Sequence, residues 1–260
     1  AEDGIRDIGV TGVQTCALPI CRGFKSRRPD VEKILDYGEA ISLAANLGSE
    51  GITPSIWIPK KEFAYAIKNS DGSISFTRKD SPRFGIGVGT NPIIDDTWDY
   101  FALPKNLAKE KTLQFKLINR WHPYQIDTSN FTDFCGVEEV GEAGLAEFLN
   151  TNAPESSVYP GNEETIFWAG KKINGELVAI GSINMWESGE YVMSSIATKI
   201  SERKKGYGSD ITKGILAICK QKGILHVALA VNAKNEIAAR VYERIGFKSL
   251  GQFNTFERQN

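Results

Sequence analysis

Long apolar runs are missing from this 260-residue chain. The longest candidate, Ile224 to Val231, spans eight residues and contains His226. A helix needs roughly 20 apolar residues to cross a bilayer, so this run reads as a buried strand and no membrane partner is expected. Histidine is scarce: His122 and His226 are the only two, which argues against a histidine-based metal site. No metal is therefore expected. Cysteine is scarce too. Of the four, Cys16 and Cys21 fall in an atypical N-terminal stretch, while Cys135 and Cys219 lie far apart without CxxC spacing. The latter pair reads as reduced core residues of a cytoplasmic protein. An excess of one charge is also absent: 31 Lys and Arg face 32 Asp and Glu, for a net charge of -1. That gives no footing for a nucleic-acid surface or an anionic membrane. What remains is 41% hydrophobic and 24% charged, ordinary for a globular protein. The length allows one large domain or two modest ones.

The first twenty residues, AEDGIRDIGVTGVQTCALPI, show no hydrophobic period, no strand alternation and no initiating Met. No basic segment leads into an apolar one, so a signal peptide fits poorly. The stretch resembles translated sequencing-adapter read-through, as found in reading frames from metagenomic DNA. Residues 1–21 are expected to be non-native and to pack on nothing.

From residue 22 the chain divides into two expected regions. Residues 22–125 read as an α+β region of unassigned role, either a degenerate copy of the C-terminal fold or a cap over its site. Asp30 to Leu47 has a rough 3.6-residue apolar period and is expected to be helical. Phe63–Ile67 and Ser73–Thr77 are expected strands, with Asp71-Gly72 as a turn whose two central residues tolerate positive φ. Phe84–Val88 reads as a third strand, and Thr112–Asn119 as either helix or strand. The glycines of Gly85-Ile86-Gly87-Val88-Gly89 suggest a nucleotide loop, but Thr90 breaks the GxGxxG pattern. A glycine-rich strand end turning at Asn91-Pro92 is favoured.

Residues 126–260 have sharper signals. Phe134–Val140, Thr165–Ala169, Leu177–Asn184, Tyr191–Thr198, Leu225–Val231 and Phe247–Phe256 read as strands. Glu142–Leu149, Gly208–Lys222 and Glu236–Ile245 read as helices, and Asn174-Gly175 is a hairpin signal. The expected order is β-α-βββ-α-β-α-β. Trp168 and Trp186 lie on or beside strands and read as core or pocket-wall residues. The Ser156 to Pro160 loop reads as a connector, with substrate contact as the sharper alternative. His122 and His226 read as structural.

The most informative segment is Ile196 to Ser209, IATKISERKKGYGS. A strand runs through a turn into a helix, with Gly206 and Gly208 at the helix start. Glycine lets backbone approach a ligand, and a helix N-terminus offers free amides and a positive dipole end that suit phosphate. Arg203, Lys204 and Lys205 add matching charge. Two glycines alone read more readily as a helix cap flanked by solvated basic residues, and it is the coupling to the next segment that favours the ligand loop. The next segment, NAKNEIAARVYERIGF, places Ala238 and Tyr242 four apart on one helix face. Tyr242 is otherwise an ordinary core tyrosine and Gly246 a C-cap.

Together these segments resemble the GCN5-related N-acetyltransferase (GNAT) family, and within it the FR47-like branch, over residues 133–260. Arg203 to Gly208 matches the family's Arg/Gln-x-x-Gly-x-Gly/Ala loop. Asn235, Ala238, Tyr242, Gly246 and Phe247 match its Asn-x-x-Ala-x-x-x-Tyr-x-x-x-Gly-Phe signature. The resemblance implies a central mixed, mainly antiparallel, splayed β-sheet flanked by helices. Acetyl-CoA would lie in the splay, with pantetheine along Ile196, Ala197 and Thr198. It implies that Arg203, Lys204, Lys205, Gly206, Tyr207, Gly208 and Ser209 hold the diphosphate, with Asn235 and Ala238 nearby. Tyr242 becomes the proton donor to the CoA sulfur, and a backbone N–H at Ile196 or Ala197 the oxyanion donor. The histone-modifying branch carries an acid four positions before the residue matching Ile196. Here that position is Val192, which leaves Glu190, or Glu187, as a base acting through water, against the alternative of solvated strand-end carboxylates. The implied activity is N-acetyl transfer to a primary amine of a small molecule or peptide. A catalytically silent acyl-CoA sensor is the alternative. The acceptor and the oligomeric state, homodimer included, stay open at the level of sequence.

Overall fold

The computed structural model describes residues 31–107, 112–186 and 188–259. The atypical stretch 1–21 and Glu187 lie outside these residues. Among the described residues, thirteen strands form one mixed sheet in the order β1-β2-β3-β4-β5-β13-β6-β11-β10-β9-β8-β7, with β12 pairing to β6.

The first half contains β1 (Glu32–Ile34), α1 (Tyr37–Ala45), α2 (Thr53–Trp57), β2 (Phe63–Lys68), β3 (Ile74–Arg78), β4 (Phe84–Val88) and β5 (Tyr100–Pro104). The helix expected from Asp30 begins only at Tyr37. Asp36 caps it, accepting from the Glu39 amide at 2.7 Å, and the residues before it pair with β2 instead. At the β2–β3 turn only Gly72 has positive φ. Asp71 instead accepts from the Ser73 amide at 2.9 Å, a side-chain-closed turn.

The long strand β6 (Phe115–Asp127) follows, which settles the ambiguous 112–119 stretch as mostly strand. The expected division at residue 125/126 falls inside β6, and both halves share the sheet. After it come β7 (Val137–Val140), α3 (Leu145–Asn152), β8 (Thr165–Ile173), β9 (Glu176–Met185) and β10 (Tyr191–Thr198). Then follow α4 (Tyr207–Gln221), β11 (His226–Asn232), α5 (Glu236–Ile245), β12 (Lys248–Ser249) and β13 (Phe253–Arg258). The order read from sequence holds, with one change. The last expected strand is broken at Gly251, whose φ is +111°, and β13 crosses over to lie between β5 and β6. At the Asn174-Gly175 turn both residues have positive φ, as a two-residue hairpin requires.

The halves repeat one pairing scheme. β1–β2, β2–β3 and β3–β4 are antiparallel and β4–β5 is parallel. Likewise β7–β8, β8–β9 and β9–β10 are antiparallel and β10–β11 is parallel. A helix, α4, joins the second parallel pair, whereas residues 89–99 join the first without one. α4 packs its stripe of Ile211, Ile215, Ile218 and Cys219 into the core of the C-terminal half. Each fully buried aliphatic side chain contributes about 1.5–3 kcal/mol, so this face seats the helix firmly.

Candidate active site

β10 carries the geometry that opens the site. Its pairing with β9 slips between Ser194 and Ala197, and Ser195 sits at φ +52°. Such a bulge bends a strand out of its ladder. Ser195 Oγ donates to the Val158 carbonyl at 2.6 Å, which holds the bulge to the loop after α3. On its other side β10 keeps a single register pair with β11, Val192 opposite Ala228. Beyond that pair the register between the two parallel strands ends, and two cavities open beside β10, the second of them lined also by Leu229 to Asn232.

The first cavity, about 770 Å³, is lined by Ile196, Ala197 and Thr198 of β10, by Arg203, Lys204, Gly206, Tyr207, Gly208 and Ser209, and by Asn235 and Ala238 of α5. Eleven of the twelve residues expected to hold the cofactor therefore converge. The exception is Lys205, whose ammonium pairs with Glu202 at 2.9 Å away from the cavity wall. The loop geometry suits an anion. Lys204 and Gly206 are left-handed, at φ +66° and +90°, and no side chain caps α4. The Tyr207 and Gly208 amides at this uncapped start are free donors at the positive end of the helix dipole, while the Ser209 amide donates to the Gly206 carbonyl at 2.9 Å. A side chain at Gly208 would meet only Thr198 Oγ1, at 3.7 Å, and so would project into open cavity. These features fit a diphosphate cradle.

Arg203 lines this cavity and also ties its loop down. Its guanidinium donates to the Asn152 carbonyl at 2.7 Å, while Asn152 Oδ1 accepts from the Ile200 amide at 2.8 Å. The pair locks the loop to the end of α3. Arg244 also lines this cavity. Sequence reading missed Asn152 and Arg244, because neither stands in a local pattern; an arginine in the last turn of α5 looks like an ordinary helix-end charge.

The second cavity, about 640 Å³, has Trp57, Glu155, Ser156, Ser157, Trp186, Ser194, Ser195 and Asn232 in its wall. It shares Ala153, Ile196, Asn235 and Tyr242 with the first. The two cavities thus meet at Tyr242, whose side chain is only 8% exposed. Its ring packs edge-on against Phe247 and beside Tyr124. Burial pushes its phenol up to about 12, so it stays protonated across the physiological range. Asn235 opens α5 by accepting from the Ala238 amide at 3.1 Å. The Ser156 loop and Trp186 therefore belong to this wall, whereas Trp168 is a buried core residue with Nε1 donating to Glu142 at 3.2 Å.

Glu190 is the candidate that the structure does not bring in. It precedes Ile196 by six positions, about 20 Å along a strand at ~3.3 Å per residue. It lines neither cavity. It is half-buried, close enough to Tyr37 and His226 to interact with their charges, and burial raises its carboxyl pKa. The acidic residue among the described ones lining the second cavity is Glu155, which is exposed. Trp57 was also invisible from sequence, since α2 is five residues long and reaches the site only through the tertiary fold.

Comparison with known proteins bears on this geometry. Residues 128–247 match the model of the Acetyltransferase (GNAT) family. A solved GCN5-related N-acetyltransferase from Kribbella flavida is similar with a TM-score of 0.54 at 14% identity, over 86% of this chain and 97% of that one. Another from Sphaerobacter thermophilus gives 0.53 at 10% identity, over 89% and 97%. No curated protein sequence matches the chain. At these identities the solved structures speak to fold, which in both cases extends through the N-terminal half. The match over 128–247 contains the whole of the bulged strand, the left-handed loop and the helix bearing Tyr242, so the site-bearing segment is similar to the GNAT family, whose co-substrate is acetyl-CoA, and the protein is an acyltransferase.

Proposed function

We propose that the C-terminal half transfers the acetyl group to a primary amine of a small molecule or peptide, by direct attack of the amine on the thioester. The observation that carries this reading is the meeting of two cavities at Tyr242 and Ile196. One has an anion-holding loop at its far end, and the other is walled by residues suited to an acceptor. A silent acyl-CoA sensor has no need of a second cavity reaching the same tyrosine.

The roles follow from the chemistry. The amides of the 204–208 loop and the Lys204 ammonium hold the diphosphate. The amine must be neutral to attack, and the backbone N–H of Ile196 or Ala197 is the donor placed to stabilise the oxyanion. Tyr242, kept neutral by burial, gives its proton to the departing sulfur. The amine proton leaves through water, and no carboxylate of this chain is assigned as base. The test is calorimetry with CoA, followed by acetyl-CoA turnover with a panel of amines. Lys204→Glu with bulky replacements at Gly206 and Gly208 should abolish uptake. Retained uptake in a folded sample would overturn the reading.

The N-terminal half is, in this reading, a degenerate copy of the same fold that also caps the acceptor site. Its repeated pairing scheme supports the first part. Trp57 in the acceptor wall supports the second. A reducing, cytoplasmic setting is supported by the free thiols of Cys135 and Cys219. The FR47-like placement rests on the Gly246-Phe247 ending and the strand after it.

A further inference from the structure

The wall of the second cavity says what kind of amine it fits. Trp57 and Trp186 meet edge to face, with ring centroids 5.9 Å apart and planes at 84°. They form an apolar corner. Trp57 is held from behind by Trp121, at 4.9 Å, which in turn stacks on Phe253 at 5.3 Å. The flanking Ile56 and Ile58 are fully buried. Ser188 Oγ donates to the Ile56 carbonyl at 3.3 Å, tying the turn after Trp186 to α2. The corner is therefore a fixed surface built jointly by the two halves. Charge in the wall is sparse. Among the described residues lining it, Glu155 is the one ionisable acid, and Lys, Arg and His are absent.

A polycation would leave most of its ammonium groups without a partner here, and unpaired charges out of water are costly. An acceptor bearing a carboxylate would find no basic side chain. A single ammonium beside an apolar body fits both features: Glu155 attracts the charge, and the tryptophan corner takes the body, with ring faces that also favour a cation. We infer that the acceptor is a monoamine carrying a compact aromatic or aliphatic body, seated in the corner that Trp57 and Trp186 form, with its nitrogen toward Tyr242. This rests on the acetyltransferase reading above. The step balances without a further reactant: the C–N bond forms as the C–S bond breaks, the amine loses one proton to water, and the thiolate gains one from Tyr242, which water then reprotonates. The products are the N-acetyl amide and free CoA.

The test is steady-state acetylation of 2-phenylethylamine, hexylamine, spermidine and a lysine-containing peptide by the full chain. Calorimetric CoA uptake is measured first on the same samples. Phenylethylamine or hexylamine should exceed spermidine and the peptide by about tenfold or more in kcat/KM, the scale of one good hydrophobic contact. Trp57→Ala should raise the KM for phenylethylamine by about tenfold and leave CoA uptake unchanged. Trp57→Phe should restore most of the loss. Should Trp57→Ala fail to fold, Trp186→Ala carries the same expectation. Spermidine or the peptide as best acceptor, no acceptance of any monoamine by protein that takes up CoA, or an unaltered KM in the tryptophan variants would each overturn the inference while leaving the acetyltransferase reading in place. Absence of CoA uptake would remove that reading itself, and this inference with it.

Discussion

The two parallel strand pairs of this molecule start alike and end differently. β4 and β5 stay zipped over three register pairs, Phe84–Tyr100, Gly85–Phe101 and Ile86–Ala102. β10 and β11 keep one, after which their register ends. In the first half the surface is filled from within. The Trp98 ring lies where a Cβ on Gly85 would fall, 2.0 Å from it, and Pro92 and Leu103 do the same at Gly87. Trp98 is fully buried and its indole donates to Thr77 Oγ1 at 2.9 Å. The glycines that suggest a nucleotide loop thus make room for the protein's own side chains. In the second half a bulge bends the strand, a helix supplies free amides and the gap stays open. In this molecule the parallel pair joined by a helix with an uncapped start stays open, and the pair joined without a helix is closed by side chains.

That contrast can be broken at either end. The largest effect should follow Trp98→Ala, which removes the plug of the closed half. Loss of a fully buried tryptophan costs about 3–5 kcal/mol, read by chemical denaturation, and CoA affinity should not move. Next is Tyr242→Phe in the open half. Loss of general-acid assistance should lower kcat by about 10²-fold, with CoA uptake retained in calorimetry. Because burial holds the Tyr242 phenol at about 12 against an ordinary 10.0, its protonated, donating form persists as pH rises through 10. The wild type and Tyr242→Phe should therefore give kcat–pH profiles of the same shape at different heights. An alkaline limb below pH 10 that vanishes in the variant would show instead that Tyr242 ionises early. Gly206→Val forces a branched side chain to φ +90°, a strain of about 1–3 kcal/mol, and should weaken CoA binding by about tenfold or more. The smallest effect separates neighbours. Lys204→Ala should weaken CoA binding a few-fold, as expected for one exposed cation. Lys205→Ala should leave it unchanged, since that ammonium faces Glu202.

How much of this was readable before the structure differs by half, and for a physical reason. The C-terminal half is built from local signals: a two-residue Asn-Gly turn, apolar stripes on α4 and α5, a cap at Asn235, glycines at a helix start. Each acts within a few residues, so each shows in sequence, and eleven cofactor-side residues fell on one wall. The N-terminal half is fixed by distant partners. β5 pairs with a strand about 150 positions later, Phe101 opposite Phe256, and no local period announces it. Trp57 belongs to the site through tertiary packing alone. Glu190 stands apart from both cavities for the converse reason: nearness in sequence to a strand says nothing of reach along it.

The insertion of β13 between β5 and β6 has a consequence for how the protein is handled. Any cut that removes residues 253–258 bares two ladders of unpaired amides and carbonyls at once, one on each half, and bare ladders seek other chains. Neither half is thus a ready-made fragment for expression. The seam also obliges both halves to melt together, so calorimetric unfolding should give one transition rather than two.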